Sequence, residues 1–198
     1  TGLMMIRAYH HQCGEQHRTE VIVPDTAHGT NPASAVCCGY QVREVKTDES
    51  GNVDLESLKE TLSDKTAAMM LTHPSTIGVF DANILKITEA VHKAGAQMYY
   101  DGANLNALLG NYTPASMGFD VMHINLHKTF ATPHGCGGPG GGPVCAADHL
   151  AAYLPAPILA KNSERYYWLT QGDCPESIGR MTAFQGNVGV LIRAYCYA

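Results

Sequence analysis

Three short stretches of this sequence carry residue types that can do chemistry. The densest is His123-Ile124-Asn125-Leu126-His127-Lys128-Thr129-Phe130, which leads into the glycine cluster Gly135-Cys136-Gly137-Gly138-Pro139-Gly140-Gly141-Gly142. It places an amine, Lys128, at the end of an apolar strand-like run. In open α/β sheets ligands bind in the crevice beyond the carboxyl ends of the strands, so a lysine there is placed for chemistry rather than for solvation. The second stretch is Met98-Tyr99-Tyr100-Asp101-Gly102-Ala103-Asn104, where Asp101 again ends an apolar run. The third is Pro24-Asp25-Thr26-Ala27-His28-Gly29-Thr30-Asn31-Pro32. Here His28 can stack on a flat ring, while Thr30 and Asn31 can cap a helix or meet polar ligand atoms.

Alone, an aspartate at a strand end is equally well a turn or cap residue. Paired with a lysine on a neighbouring strand end it acquires a specific meaning, because this is the pair that pyridoxal phosphate requires. The lysine forms the Schiff base, and the carboxylate keeps the pyridine nitrogen protonated so that the ring acts as an electron sink. Two competing readings fare worse. His123, His127 and His134 suggest a metal site, but i, i+4 spacing converges only on a helix, and this segment reads as strand and turn. The glycine cluster lacks both the GxGxxG order and a following GKS or GKT triplet, which disfavours a nucleotide loop.

The elements that must position these residues alternate. Strand-like runs at Val21–Val23, Val42–Val45, Ala67–Leu71, Gln97–Tyr100, Val121–Asn125 and Gly142–Ala146 are separated by helical patterns at Pro32–Gly39, Leu55–Leu62, Ala82–Ala94 and His149–Tyr153. Leu55, Leu58 and Leu62 share a helix face behind a capping Asp54; Ile84, Ile87, Ala90 and Val91 share another, closed by Gly95. The alternation predicts an α/β fold, a mainly parallel sheet with helices on both faces. After Pro155 the pattern degrades, so residues 1–155 are expected to form a partial large cofactor-binding domain. Residues 156–198 are expected to form an extended excursion that opens, through Ile178, Phe184 and Val188–Ile192, a helix leading to a small domain.

With 198 residues, 45% hydrophobic and 16% charged, the chain suits one cored domain or a domain with part of another. A net charge of −5 gives no support to a nucleic-acid partner, and no run approaches the roughly 18 apolar residues of a membrane span. The seven cysteines form no CxxC pair and are expected to be reduced, mostly buried thiols. The first residue is Thr and the last stretch is apolar, so both ends are expected to be truncations. The expected setting is the bacterial cytoplasm, or the mitochondrial matrix of a eukaryote.

The strings Ala27-His28-Gly29-Thr30-Asn31-Pro32-Ala33-Ser34, Asp101-Gly102-Ala103-Asn104, Asn125-Leu126-His127-Lys128-Thr129-Phe130 and Pro133-His134-Gly135, with Gly137-Gly138-Pro139-Gly140, Ser177-Ile178-Gly179-Arg180 and Gly186-Asn187, occur in the order seen in one family. The chain resembles the glycine decarboxylases (P proteins) of the glycine cleavage system, most of all the second subunit of the bacterial two-subunit form. The resemblance implies a fold-type-I pyridoxal-phosphate large domain with Lys128 bearing the cofactor, Asp101 on the pyridine nitrogen, His28 on one ring face and Ala103 on the other. His127 and Thr129 would lie near the phosphate or substrate. It further implies decarboxylation of glycine, transfer of the aminomethyl group to the lipoylated carrier protein, a homologous subunit 1 as partner, and a Gly135–Gly142 loop flanking the channel for the lipoyl arm. The family's phosphate-cradling loop would precede Thr1 and its small domain would follow Ala198, and Cys136 stands where glycine is expected. The alternatives are a non-catalytic fragment or subunit of that complex, and another fold-type-I pyridoxal-phosphate enzyme.

Overall fold

The computed structural model describes residues 1–198. Helix α1 (Gly2–Gln12) leads to β1 (Glu20–Pro24), α2 (Thr30–Cys37), β2 (Gln41–Val45), α3 (Leu55–Thr61), β3 (Thr66–Thr72), α4 (Ile84–Lys93) and β4 (Gln97–Gly102). After two short 3-10 turns come β5 (Val121–Ile124), the single helical turn α5 (Leu126–Thr129), β6 (Val144–Ala146), a 3-10 segment (Asp148–Tyr153), β7 (Ile158–Lys161), β8 (Tyr166–Leu169) and α6 (Val188–Tyr197). None of the helices is long and apolar enough to cross a membrane.

Strands β2, β1, β3, β4 and β5 lie side by side in that order, all parallel, and β6 closes the sheet antiparallel to β5. All six strand runs read from the sequence are members of this sheet. The two inner helices form as their patterns require. Asp54 accepts from the backbone N–H groups of Glu56 at 2.9 Å and Ser57 at 3.2 Å, which caps α3. α4 buries Ile84, Ile87 and Val91, and Gly95 at φ +79° ends it in the left-handed conformation that a side chain disfavours.

Strand alternation divides the core into two layers. Met69 and Leu71 of β3 and Met98 and Tyr100 of β4 point toward α3 and α4, in a cluster with Leu58, Ile87 and Val91. Ala68 and Met70 of β3, Tyr99 of β4 and Val121 of β5 point the other way, toward Leu3, Met5 and Ile6 of α1 and Ala35 of α2. Helices therefore cover both faces, as a parallel sheet of this kind needs. The chain moves from β1 to β2 across one face and from β2 over β1 to β3 across the other, so the direction of strand order reverses between β1 and β3.

Two expectations need correction, and the stretch after Pro155 holds an element the sequence did not announce. Ile158–Lys161 and Tyr166–Leu169 form an antiparallel hairpin, hidden in the sequence because its aromatic residues Tyr166 and Trp168 are solvent-exposed rather than alternating with a core. The chain also returns to the main body: Ser177 donates to the Leu154 carbonyl at 2.6 Å, and Val190 and Ala194 of α6 pack on Leu126. His149–Tyr153 lies within a 3-10 segment rather than an α-helix. None of the seven cysteines is buried: Cys38 and Cys174 are half-buried and the other five are exposed. They sit at helix ends, in loops and on the outer strand β6, and of them Cys38 packs against the α1-side core layer.

Candidate functional site

The C-terminal ends of β1, β3, β4 and β5 open onto one cleft of about 160 Å³. His28 and Thr30 reach it from the turn after β1, Thr72 and Thr76 from the end of β3 and its following loop, Asp101, Ala103 and Asn104 from β4, His123 and Asn125 from β5, and Lys128 from α5. This is the crevice at the reversal of strand order, where open α/β sheets bind ligands. Ala103 is the single apolar residue on its wall.

Register explains how the polar groups converge. Thr72 pairs with Asp101 across β3 and β4, and Asp101 with His123 across β4 and β5. Neighbours in a parallel sheet point to the same face, so the three side chains form a row across three strand ends. Asp101 is buried, and its carboxylate is well supplied with donors. Oδ1 takes the Ala103 backbone N–H at 2.9 Å and lies 3.1 Å from His123 Nε2, while Oδ2 accepts from the Thr72 hydroxyl at 3.2 Å. Burial pushes the Asp101 carboxyl up, but His123 and these hydrogen bonds outweigh it and hold the group below the usual carboxylate range. Thr72 in turn accepts from Asn31 Nδ2 at 3.4 Å.

Two close approaches keep the row together. Gly102 follows Asp101 where β4 runs so near β5 that a Cβ would collide with the His123 carbonyl oxygen. Asn104 ties down the loop after β3, donating to the carbonyls of Pro74 at 2.9 Å and Ser75 at 3.0 Å, and the Tyr100 hydroxyl donates to the His73 carbonyl at 2.6 Å. Across the cleft, His28 Nδ1 accepts from the Thr30 backbone N–H at 3.1 Å, which fixes the ring and leaves its Nε2 free of that turn.

Of the residues singled out in the sequence, Lys128, Asp101, His28 and Ala103 line this one cleft, with Lys128 on a helical turn just past the strand rather than on the strand itself. His127 and Thr129 do not line it. His127 sits edge-on against His134, ring centroids 4.5 Å apart, where burial and then the positive groups His134 and Lys128 hold its imidazole below the ordinary value. Thr129 is buried beneath the turn, its hydroxyl without a hydrogen-bond partner. The histidines of the metal reading go separate ways, His123 to Asp101 and His127 to His134.

Sequence reasoning missed Thr72, Thr76, Asn104 and Asn125 as wall residues and gave His123 the wrong company. Strand register, with His123 directly opposite Asp101, is the signal that joins them. The donor set suits a flat, nitrogen-containing ring bearing an aldehyde: a carboxylate held ionised, an amine, an imidazole face and several hydroxyl and amide groups. The buried Asn125 Oδ1 on this wall has no partner of its own, so it adds an acceptor for a ligand donor.

Comparison with known proteins agrees with this architecture. Over 196 residues the chain is 59% identical to proteins of Coxiella burnetii (strain CbuK_Q154) and Methylococcus capsulatus, each named probable glycine dehydrogenase (decarboxylating) subunit 2. The match covers 99% of this chain and 40% of each relative, so the chain spans about two-fifths of their length. Among solved structures, glycine decarboxylase (P-protein) of the glycine cleavage system in inhibitor-bound form superposes with a TM-score of 0.73 at 17% identity, over 98% of this chain and 45% of that one. Mouse CSAD gives 0.65 at 17% identity, over 98% and 43%. At these identities the structural likenesses establish the fold, which is the fold-type-I large-domain architecture expected from the sequence. The model of the class-V aminotransferase family matches residues 3–138, a span that runs from α1 through the cleft, and the chain belongs to that family.

Proposed function

We propose that this chain carries the cofactor-bearing part of a glycine decarboxylase, working with pyridoxal phosphate on glycine. The observation that carries the proposal is the meeting of Asp101 and Lys128 on one polar cleft at neighbouring strand ends, with the Asp101 carboxylate held ionised. In this reading Lys128 holds the cofactor covalently through its amine and Asp101 accepts from the ring nitrogen. His28 and Ala103, both on the cleft wall, would hold the ring from its faces. When bound, the cofactor supplies an electron sink that lets glycine lose its carboxylate as carbon dioxide.

The protein's own residues do the rest. Asp101 keeps a proton at the ring nitrogen, because an ionised, buried carboxylate favours a cationic partner. The Lys128 amine would stand on the cleft wall beside the substrate. His127 and Thr129 flank Lys128 on α5, off the cleft wall. The partners of this reading are the lipoylated carrier protein, which takes the aminomethyl group, and a homologous subunit 1. Names of the 59% identical relatives support it.

The test is borohydride trapping of pyridoxal phosphate on the full-length protein followed by peptide mapping. A pyridoxyl mass increment on Lys128 is expected, and its absence there refutes the proposal. Exchange of labelled bicarbonate into glycine, dependent on lipoylated carrier, then distinguishes glycine decarboxylase from other decarboxylases.

A further inference from the structure

Asp101 is met by more donors than a cofactor partner needs, and their arrangement leaves one direction open. An ionised carboxylate offers about four lone-pair sites. His123 and the Ala103 N–H fill the two on Oδ1, and the Thr72 hydroxyl fills one on Oδ2. Because the Thr72 oxygen accepts from Asn31, its one proton is directed at Asp101. A single site on Oδ2 remains.

Behind His123 stands Tyr99, its hydroxyl 3.2 Å from Nδ1. Tyr99 is buried on the α1 side of the sheet, where burial first and the Asp101 charge second push its phenol well above the ordinary value, so it stays a donor. The ionised Asp101 carboxylate can only accept, so its bond to His123 calls for an N–H at Nε2, and the Tyr99 phenol is then placed to donate to Nδ1. The other titratable groups around Asp101 are Tyr100, its chain neighbour, and His28 and Lys128 on the cleft wall.

We propose that His123 is a positioning residue for Asp101: oriented by Tyr99, its Nε2–H pins Oδ1 and leaves Oδ2 as the acceptor for the ring nitrogen of the cofactor. This rests on the reading of Asp101 given above. It gives Tyr99 and His123 a joint role that neither would have as packing residues.

The experiment uses the full-length protein, first without cofactor and then reconstituted with pyridoxal phosphate. Carbon NMR follows the titration of the Asp101 carboxyl, nitrogen NMR reads the His123 tautomer, and absorbance gives cofactor affinity. Wild type is expected to show the Nε2–H tautomer. His123→Ala is expected to raise the Asp101 midpoint so that its proton affinity grows about tenfold, and to weaken cofactor binding by about the same factor, as loss of a hydrogen bond to a charged group implies. His123→Gln, whose amide N–H reaches the Nε2 position, recovers most of both. Tyr99→Phe leaves the N–H at Nε2, where Asp101 still accepts it, but frees the ring to turn, and is expected to give part of the His123→Ala effect on both readouts.

A folded His123→Ala protein with wild-type Asp101 titration and cofactor affinity overturns the proposal, as does an Nδ1–H tautomer in wild type. If His123→Ala does not fold, Tyr99→Phe decides: wild-type Asp101 titration and cofactor affinity overturn the proposal, and a partial shift in both sustains it. Failure to trap the cofactor on Lys128 in wild type refutes the functional reading instead, and the cofactor-free titration still decides whether His123 holds Asp101.

Discussion

Replacing Gly102 by alanine tests the geometry of the cleft most directly. The backbone there does not adopt a positive φ, so alanine brings no conformational penalty and the effect is steric. An ideal Cβ at this position falls 3.1 Å from the His123 carbonyl carbon and 3.4 Å from Ile124 Cα, and it overlaps the His123 oxygen outright. All three neighbours are backbone atoms of β5, held in the β4–β5 ladder, so no side chain can turn aside. The strands must part by on the order of 1 Å to restore normal contact. That opening carries His123 from 3.1 Å to beyond hydrogen-bond reach of Asp101. Overpacking and the lost charge-assisted bond together cost about 3 kcal/mol or more. For a protein of this size that lowers Tm by about 6–12 °C. Calorimetry on Gly102→Ala measures it, with Gly189→Ala as the control: Gly189 lies in α6 with open space around its Cβ position, so alanine there is neutral or mildly stabilising. A Gly102→Ala protein that melts within about 2 °C of wild type would refute the reasoning.

Other expectations concern separate parts of the fold. Cys136 sits at φ +50°, a left-handed conformation that costs a side chain about 1–2 kcal/mol, so Cys136→Gly should raise Tm by a few degrees in calorimetry. Tyr100→Phe removes the 2.6 Å bond to the buried His73 carbonyl and leaves that carbonyl unpaired; urea unfolding should show a loss of about 1–3 kcal/mol. His92 Nε2 lies 2.8 Å from Asp120 Oδ2, and this bond holds the imidazole above its ordinary value against partial burial. A raised histidine stabilises fully below about pH 6.5 and loses that contribution as pH rises through its folded value. The Tm gap between wild type and His92→Ala should therefore be widest in mild acid and narrow toward pH 9. A gap that widens with pH contradicts the sign.

The parallel sheet was legible because its strands are apolar runs bounded by turn residues, and because α3 and α4 each show one apolar stripe with a cap or a glycine stop. Lys128 and Asp101 were legible for the same reason: each follows such a run, and strand ends are where a sheet exposes chemistry. What stayed hidden depends on pairing between strands. Thr72 reads as an ordinary β-branched strand residue until β3 is set beside β4 in register, and His123 reads as a possible ligand with His127 until β5 is set beside β4. The hairpin of Ile158–Lys161 and Tyr166–Leu169 was hidden for a different reason. Tyr166, Tyr167 and Trp168 run consecutively and are all exposed, so β8 carries no alternating pattern to read.

The cleft draws on residues as far apart in sequence as His28 and Lys128, brought together at the ends of four strands. No local piece of the chain contains it, and it comes into being only after the crossovers through α2, α3 and α4 have docked. A molecule that fits this cleft consequently recognises the completed sheet and has no affinity for the unfolded chain. Occupancy then acts as a brake on unfolding, worth about 2.7 kcal/mol at a ligand concentration a hundred times Kd. The supply of ligand thus bears on how long the folded chain persists as well as on how much of the cleft is filled.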